Sequence, residues 1–165
     1  MKTDALSPDP SPAGGRGEIR ESLRDFADLE AAYRSCTYRV FLPGGEVDLR
    51  IGEANASLAR WLAEEGASSW VILTAHNPGS QQLDPAENAE RQSQLECALL
   101  ELNYTAFAGE NVADENGWPK EESCFVPDVD QKNSLALAHR FGQNAVVFGE
   151  GDSFPHLIWV EEKNK

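Results

Sequence analysis

Basic residues are scarce in this chain. Its 14 lysines and arginines stand against 28 aspartates and glutamates, a formal net charge of −14. A field of that sign repels phosphate backbones, so an extended nucleic-acid surface is excluded. Cysteine is equally sparse. Cys36, Cys97 and Cys124 form an odd set without a C-x-x-C pair, and His76, His139 and His156 offer no H-x-x-x-H. No disulfide framework or structural zinc site is expected, and a reducing cytoplasm is the compartment implied. Long apolar runs are missing too: none reaches the roughly 20 residues of a membrane helix. The N-terminus lacks the basic start and apolar core of a secretory signal. The expectation is a soluble, cytoplasmic protein with no membrane attachment. Ser123 has no G-x-S-x-G elbow around it, and no nucleophile–base pair is legible. Catalytic residues and cofactors are therefore left unassigned, and so is the question of whether this is an enzyme.

The acid is concentrated. From Asp84 to Asp130 twelve carboxylates face only Arg91 and Lys120. This is a solvated acidic face, or a surface steered toward a basic protein partner.

Residues 1–20 are dense in proline and glycine, with Ser7-Pro8-Asp9-Pro10-Ser11-Pro12 and Gly14-Gly15-Arg16-Gly17. Such composition cannot build a core and reads as a disordered tail. Residues 21–162 read as one globular domain. Leu23, Phe26, Leu29 and Tyr33 recur at helical spacing. Tyr38, Val40 and Leu42, then Val47, Leu49 and Ile51, alternate around Pro43-Gly44-Gly45 as a β-hairpin. Ala54 to Glu65 reads as a helix stopped by Gly66. Trp70 to Ala75 is an apolar run ending abruptly in His76-Asn77-Pro78-Gly79-Ser80, a buried strand that delivers polar groups to a sheet rim. Asp84, Pro85 and Glu87 cap the longest helix, whose apolar stripe is Leu95, Ala98, Leu99 and Leu102. Tyr104 to Ala108 is expected as a strand parallel to the Trp70 strand through a right-handed crossover. A polar loop over residues 109–120 and a strand from Glu122 to Val126 follow. Asp130 caps a third helix ended by Gly142, and strands at Ala145–Phe148 and His156–Val160 close the chain. The fold class expected is α/β or α+β: a mixed β-sheet with about three to four helices.

Candidate site residues follow from helix and strand geometry. Asn88 and Arg91 precede Leu95 by seven and four residues, so they share the sheet-facing stripe. A guanidinium there needs a partner, either a ligand anion at the helix start or a carboxylate such as Glu87. Of Glu121 and Glu122, consecutive in a strand, only one can face the core side, where it could act as a base, bind a metal or pair with Arg91. Gln143 can bond a ligand amide or the loop backbone. His76 can serve as acid or base or simply lie exposed. With Asn77, the set Asn77, Asn88, Arg91, Glu121, Glu122 and Gln143 would converge at one rim and suit a nucleotide-like or amide-bearing small molecule.

Thr74-Ala75-His76-Asn77-Pro78, Glu87-Asn88 with Arg91, Glu121-Glu122-Ser123 and Phe141-Gly142-Gln143-Asn144-Ala145, in that order and spacing, resemble a bacterial family known as domain of unknown function 3293. The resemblance runs from about Tyr33 to Trp159. It implies a small, soluble bacterial protein and supplies no activity.

Overall fold

A computed structural model describes residues 26–114, 118–151 and 154–160. The chain divides into two units, Met1–Ala32 and Tyr33–Lys165. Residues 26–35 are helical (α1), of which 26–32 are the described part of the first unit. The tail expected over residues 1–20 lies outside the described residues.

The second unit carries strands β1 (Thr37–Leu42), β2 (Gly45–Leu49), β3 (Ser69–Leu73), β4 (Phe107–Val112), β5 (Glu121–Pro127), β6 (Ala145–Glu150) and β7 (His156–Trp159). Its helices are α2 (Ala56–Glu65), α3 (Pro85–Glu101) and α4 (Gln131–Arg140). Two helix starts are held by the side chains that sequence marks as caps: Asp84 accepts the Glu87 N–H and Asp130 that of Asn133. The α2 start is capped by Asn55, read from sequence as lying within the helix, which accepts the Leu58 N–H. Each cap satisfies an amide that the helix itself leaves free.

The strands form one seven-stranded sheet in the order β2-β1-β4-β5-β3-β6-β7. Every pairing is antiparallel. This corrects the crossover expectation in part. β3 and β4 do run the same way, joined by α3, but β5 lies between them and pairs with both. The same holds for β5 and β6, which are joined by α4 and separated by β3. Two interlocked split β-α-β units result, the β-α-β-β-α-β arrangement called ferredoxin-like. The β1–β2 hairpin extends it on one edge and β7 on the other. The α+β alternative is the one the pairing supports.

The two sheet faces explain why β3 is apolar at every position. Val71 and Leu73 pack with Leu95, Leu99, Leu137 and Phe141 from α3, α4 and its end. Trp70 and Ile72 pack on the opposite side with Leu58 and Leu62 of α2 and the hairpin residues Val40 and Leu49. A strand covered on both faces loses the alternation of a half-exposed one.

β4 also departs from expectation. It starts at Phe107 and runs through Gly109-Glu110-Asn111, residues read from sequence as loop. Polar character is tolerated because Glu110 lies on the outer face and binds Arg39 of β1 at 2.9 Å. Gly109 is required by closeness: a Cβ there would sit 2.6 Å from the Arg39 carbonyl oxygen.

Gly149 faces Trp70 across the β3–β6 pair, and a Cβ on it would lie 2.4 Å from the indole ring. That ring is fully buried and stacked on Phe125. Gly149→Ala is therefore expected to cost about 1–3 kcal/mol by overpacking. A urea titration would show it as a lower midpoint with an unchanged slope. An unchanged midpoint would contradict this account of the Trp70 site.

Candidate functional site

The C-terminal ends of β3 and β4, the N-terminal ends of β1, β5 and β6, the start of α3 and the end of α4 all come to one rim. The chain leaves β3 there and turns sharply. Asn77 adopts left-handed backbone geometry (φ 49°), which a short polar side chain tolerates better than most. A single 3₁₀ turn follows over Pro78–Ser80.

Asn77 and Asn88 are buried and bonded to each other twice. The Asn77 backbone N–H donates to Asn88 Oδ1 at 2.8 Å, and Asn88 Nδ2 donates to Asn77 Oδ1 at 2.9 Å. Asn77 Oδ1 also accepts the Leu83 N–H at 2.8 Å. Asn77 Nδ2 donates to Glu121 Oε2, again at 2.8 Å. The loop between β3 and α3 is thus closed on itself and tied to β5.

The glutamate question left open by sequence is resolved here. Glu121 is half-buried on the α2 side of the sheet, in one row with Asn111 of β4 and Tyr38 of β1. Residues directly opposite in antiparallel strands share a face. The Glu122 side chain is exposed, and its contribution is a carbonyl oxygen that accepts the Thr74 hydroxyl at 2.6 Å. Trp118 Nε1 donates to Glu121 Oε2 at 3.1 Å, the same oxygen that Asn77 uses.

Arg91 reaches the rim but turns to backbone. Nε donates to the Ala75 carbonyl at 2.8 Å and Nη2 to that of Phe141. The Glu87 carboxylate weighed from sequence is not the partner in these bonds. Gln143 Nε2 shares the Phe141 carbonyl and donates to that of His76 at 3.0 Å. Together the two side chains lock the Gly142 turn (φ 74°) against Pro78, reinforced by the Gly79 N–H to Gly142 carbonyl bond. Asn77, Asn88 and Glu121 are hence directly joined, Arg91 and Gln143 brace the wall, and the Glu122 side chain stands apart.

Sequence reasoning missed four members. Gln92 is fully buried and accepts the Ala75 N–H at 3.0 Å. Its position in the stripe Asn88–Gln92–Leu95–Leu99 carried the signal. Asn111, Trp118 and Tyr33 carried none, because strand pairing and loop contacts place them. The Tyr33 hydroxyl is pushed up to about 12 by burial, against hydrogen bonds to Ser80 and Asn144. Burial likewise raises the Cys36 thiol to about 11 and the Tyr38 hydroxyl well above its ordinary value. These groups stay neutral beside Glu121. Two polar atoms flanking it, His76 Nε2 and Asn111 Oδ1, are buried without a hydrogen-bond partner.

A separate hollow of about 250 Å³ is lined by Gln131, Phe148, Glu150, His156 and Ile158. It lies at the opposite rim, where Glu150 faces Ser69. Among the described residues no helix is long and apolar enough to cross a membrane.

Residues 73–146 match the family described as Protein of unknown function (DUF3293). The match bears out the resemblance over a narrower span than Tyr33 to Trp159. It begins on the last residue of β3 and takes in all six candidate residues. The hairpin, α2 and β7 lie outside the matched residues. No curated protein and no solved structure matches the chain.

His76 gives this rim a pH signature. Burial holds its imidazole below the ordinary 6.5, with Glu121 and Glu122 opposing. Its folded form therefore takes up the proton less readily than the unfolded chain. The stability this confers is present above 6.5 and declines as pH falls from there toward the folded value. Denaturation midpoints followed from about pH 7 downward should drop more steeply in the wild type than in His76→Gln. Parallel profiles would contradict the assignment.

Proposed function

We propose that this protein binds a small polar molecule at the rim built around Glu121, with Asn77, Asn111 and His76 as its contacts and Asn88, Arg91 and Gln143 as the frame. The observation that carries this reading is the pair of orphaned atoms. A buried polar group without a partner costs about 1–3 kcal/mol. Two of them flank one carboxylate, and a bound polar molecule repays both. Functional sites are where such deficits collect.

The support changes the ligand class that sequence favoured. Arg91 gives two of its five N–H groups to carbonyls, so less of it is left to anchor a phosphate or other anion of a nucleotide. A molecule rich in N–H donors, an amide-bearing one among them, fits the acceptors better. No catalytic step is assigned to these residues. The runner-up, an acidic face for a basic protein, draws less support. We also place the protein in a reducing cytoplasm, since Cys36, Cys97 and Cys124 are all free.

The test is a fragment screen followed by ¹H–¹⁵N NMR of the labelled full chain. Binders should shift the amides of His76, Asn77, Asn111 and Glu121 together. Fragments that bind only elsewhere, or none at all, would overturn the proposal.

A further inference from the structure

The rim is one-sided in its chemistry. Glu121 offers a carboxylate. Asn111 Oδ1 can only accept, and it is buried and unpartnered. His76 Nε2 is buried and unpartnered as well, and it accepts when the neutral ring carries its proton on Nδ1. The neighbouring groups that carry protons, Tyr33, Tyr38 and Cys36, are neutral and raised by burial. The cations near this rim have bonds of their own. Arg91 is bound to the Ala75 and Phe141 carbonyls. Arg39 lies on the other sheet face between Asp48 and Glu110, and Lys120 pairs with Glu110. Arg50 donates Nη1 to the Thr37 hydroxyl at 3.1 Å. An anion would meet the Glu121 carboxylate inside a chain of net charge −14.

Glu121 Oε2 is satisfied by two neutral donors, Asn77 Nδ2 and Trp118 Nε1. They are not equivalent. Asn77 is buried and fixed by Asn88, whereas Trp118 is 38% exposed and lies on the solvent side. A charged donor makes a shorter and roughly twofold stronger bond to a carboxylate than a neutral N–H does. The indole is therefore the partner that an incoming cation displaces.

Resting on the rim reading above, we infer that the ligand is a small organic cation, a primary ammonium or guanidinium. Its charged head takes the place of the Trp118 indole on Glu121, and its remaining N–H groups reach Asn111 Oδ1 or His76 Nε2.

The test uses three probes on one carbon skeleton: n-butylammonium, n-butanol and butanoate. Each is titrated into the ¹⁵N-labelled full chain, and the Trp118 indole N–H cross-peak, assigned through Trp118→Phe, is followed. Butylammonium should bind at least about tenfold more tightly than butanol and should move that cross-peak, with butanoate weakest. Glu121→Gln keeps an acceptor for Asn77 while removing the charge, so the preference should vanish with the far-UV spectrum retained. Glu64→Gln, an equal charge change on the exposed face of α2, should leave it intact. Trp118→Phe removes the competitor and should tighten butylammonium binding. Rim binding without preference for the cation, or a preference that survives in Glu121→Gln, would overturn this inference and leave the rim site standing. Silence of the rim amides toward all three probes and toward the fragment set would overturn both.

Discussion

The structure at the rim depends on one paired interaction, the reciprocal bonding of Asn77 and Asn88. A backbone in the left-handed region is costly for any residue with a Cβ. Here it is held because both the amide and the side chain of Asn77 are occupied by a helix that starts eight residues later. The exchange places Asn77 Nδ2 on Glu121 and closes the loop through the Leu83 N–H. Without it the Asn77 amide loses its partner, the Leu83 amide loses its fixed acceptor, and Glu121 loses its buried neutral partner.

Topology decides what that pair can hold. Split β-α-β units bring β5 between β3 and β4, so a residue that opens β5 lands beside the turn that closes β3. The same interleaving sets Asn111 opposite Glu121 and brings the Gly142 turn against Pro78. Arg91 and Gln143 then bind carbonyls on both sides of that contact. Cationic and amide side chains serve as braces for backbone.

Local features of the fold were legible because their causes are local. Asp84, Asp130 and Gly66 mark helix ends through bonds to neighbours within a few residues. The helical phase from Leu95 back to Asn88 placed that side chain on the sheet, and Asn88 is buried there. Strand order was not legible. The insertion of β5 depends on pairing between segments some fifty residues apart, and nothing in Trp70–Leu73 distinguishes β4 from β5 as a neighbour. Gly109-Glu110-Asn111 reads as loop because its reasons to be extended, Arg39 on one face and Tyr38 and Glu121 on the other, are brought by β1 and β5. For Arg91 sequence supplied the need for a partner but not its identity, since a backbone carbonyl leaves no trace in side-chain pattern.

Hydrogen exchange reads the central pairing most directly. The Asn77 and Leu83 amides are held by side chains, not by sheet or helix ladders. In Asn88→Ala both should lose protection, along with the turn at Gly79, while the amides of β3 and β6 keep theirs. Unchanged protection at Asn77 and Leu83 would contradict the account, because the loop would then owe its shape to something other than the Asn77–Asn88 pair.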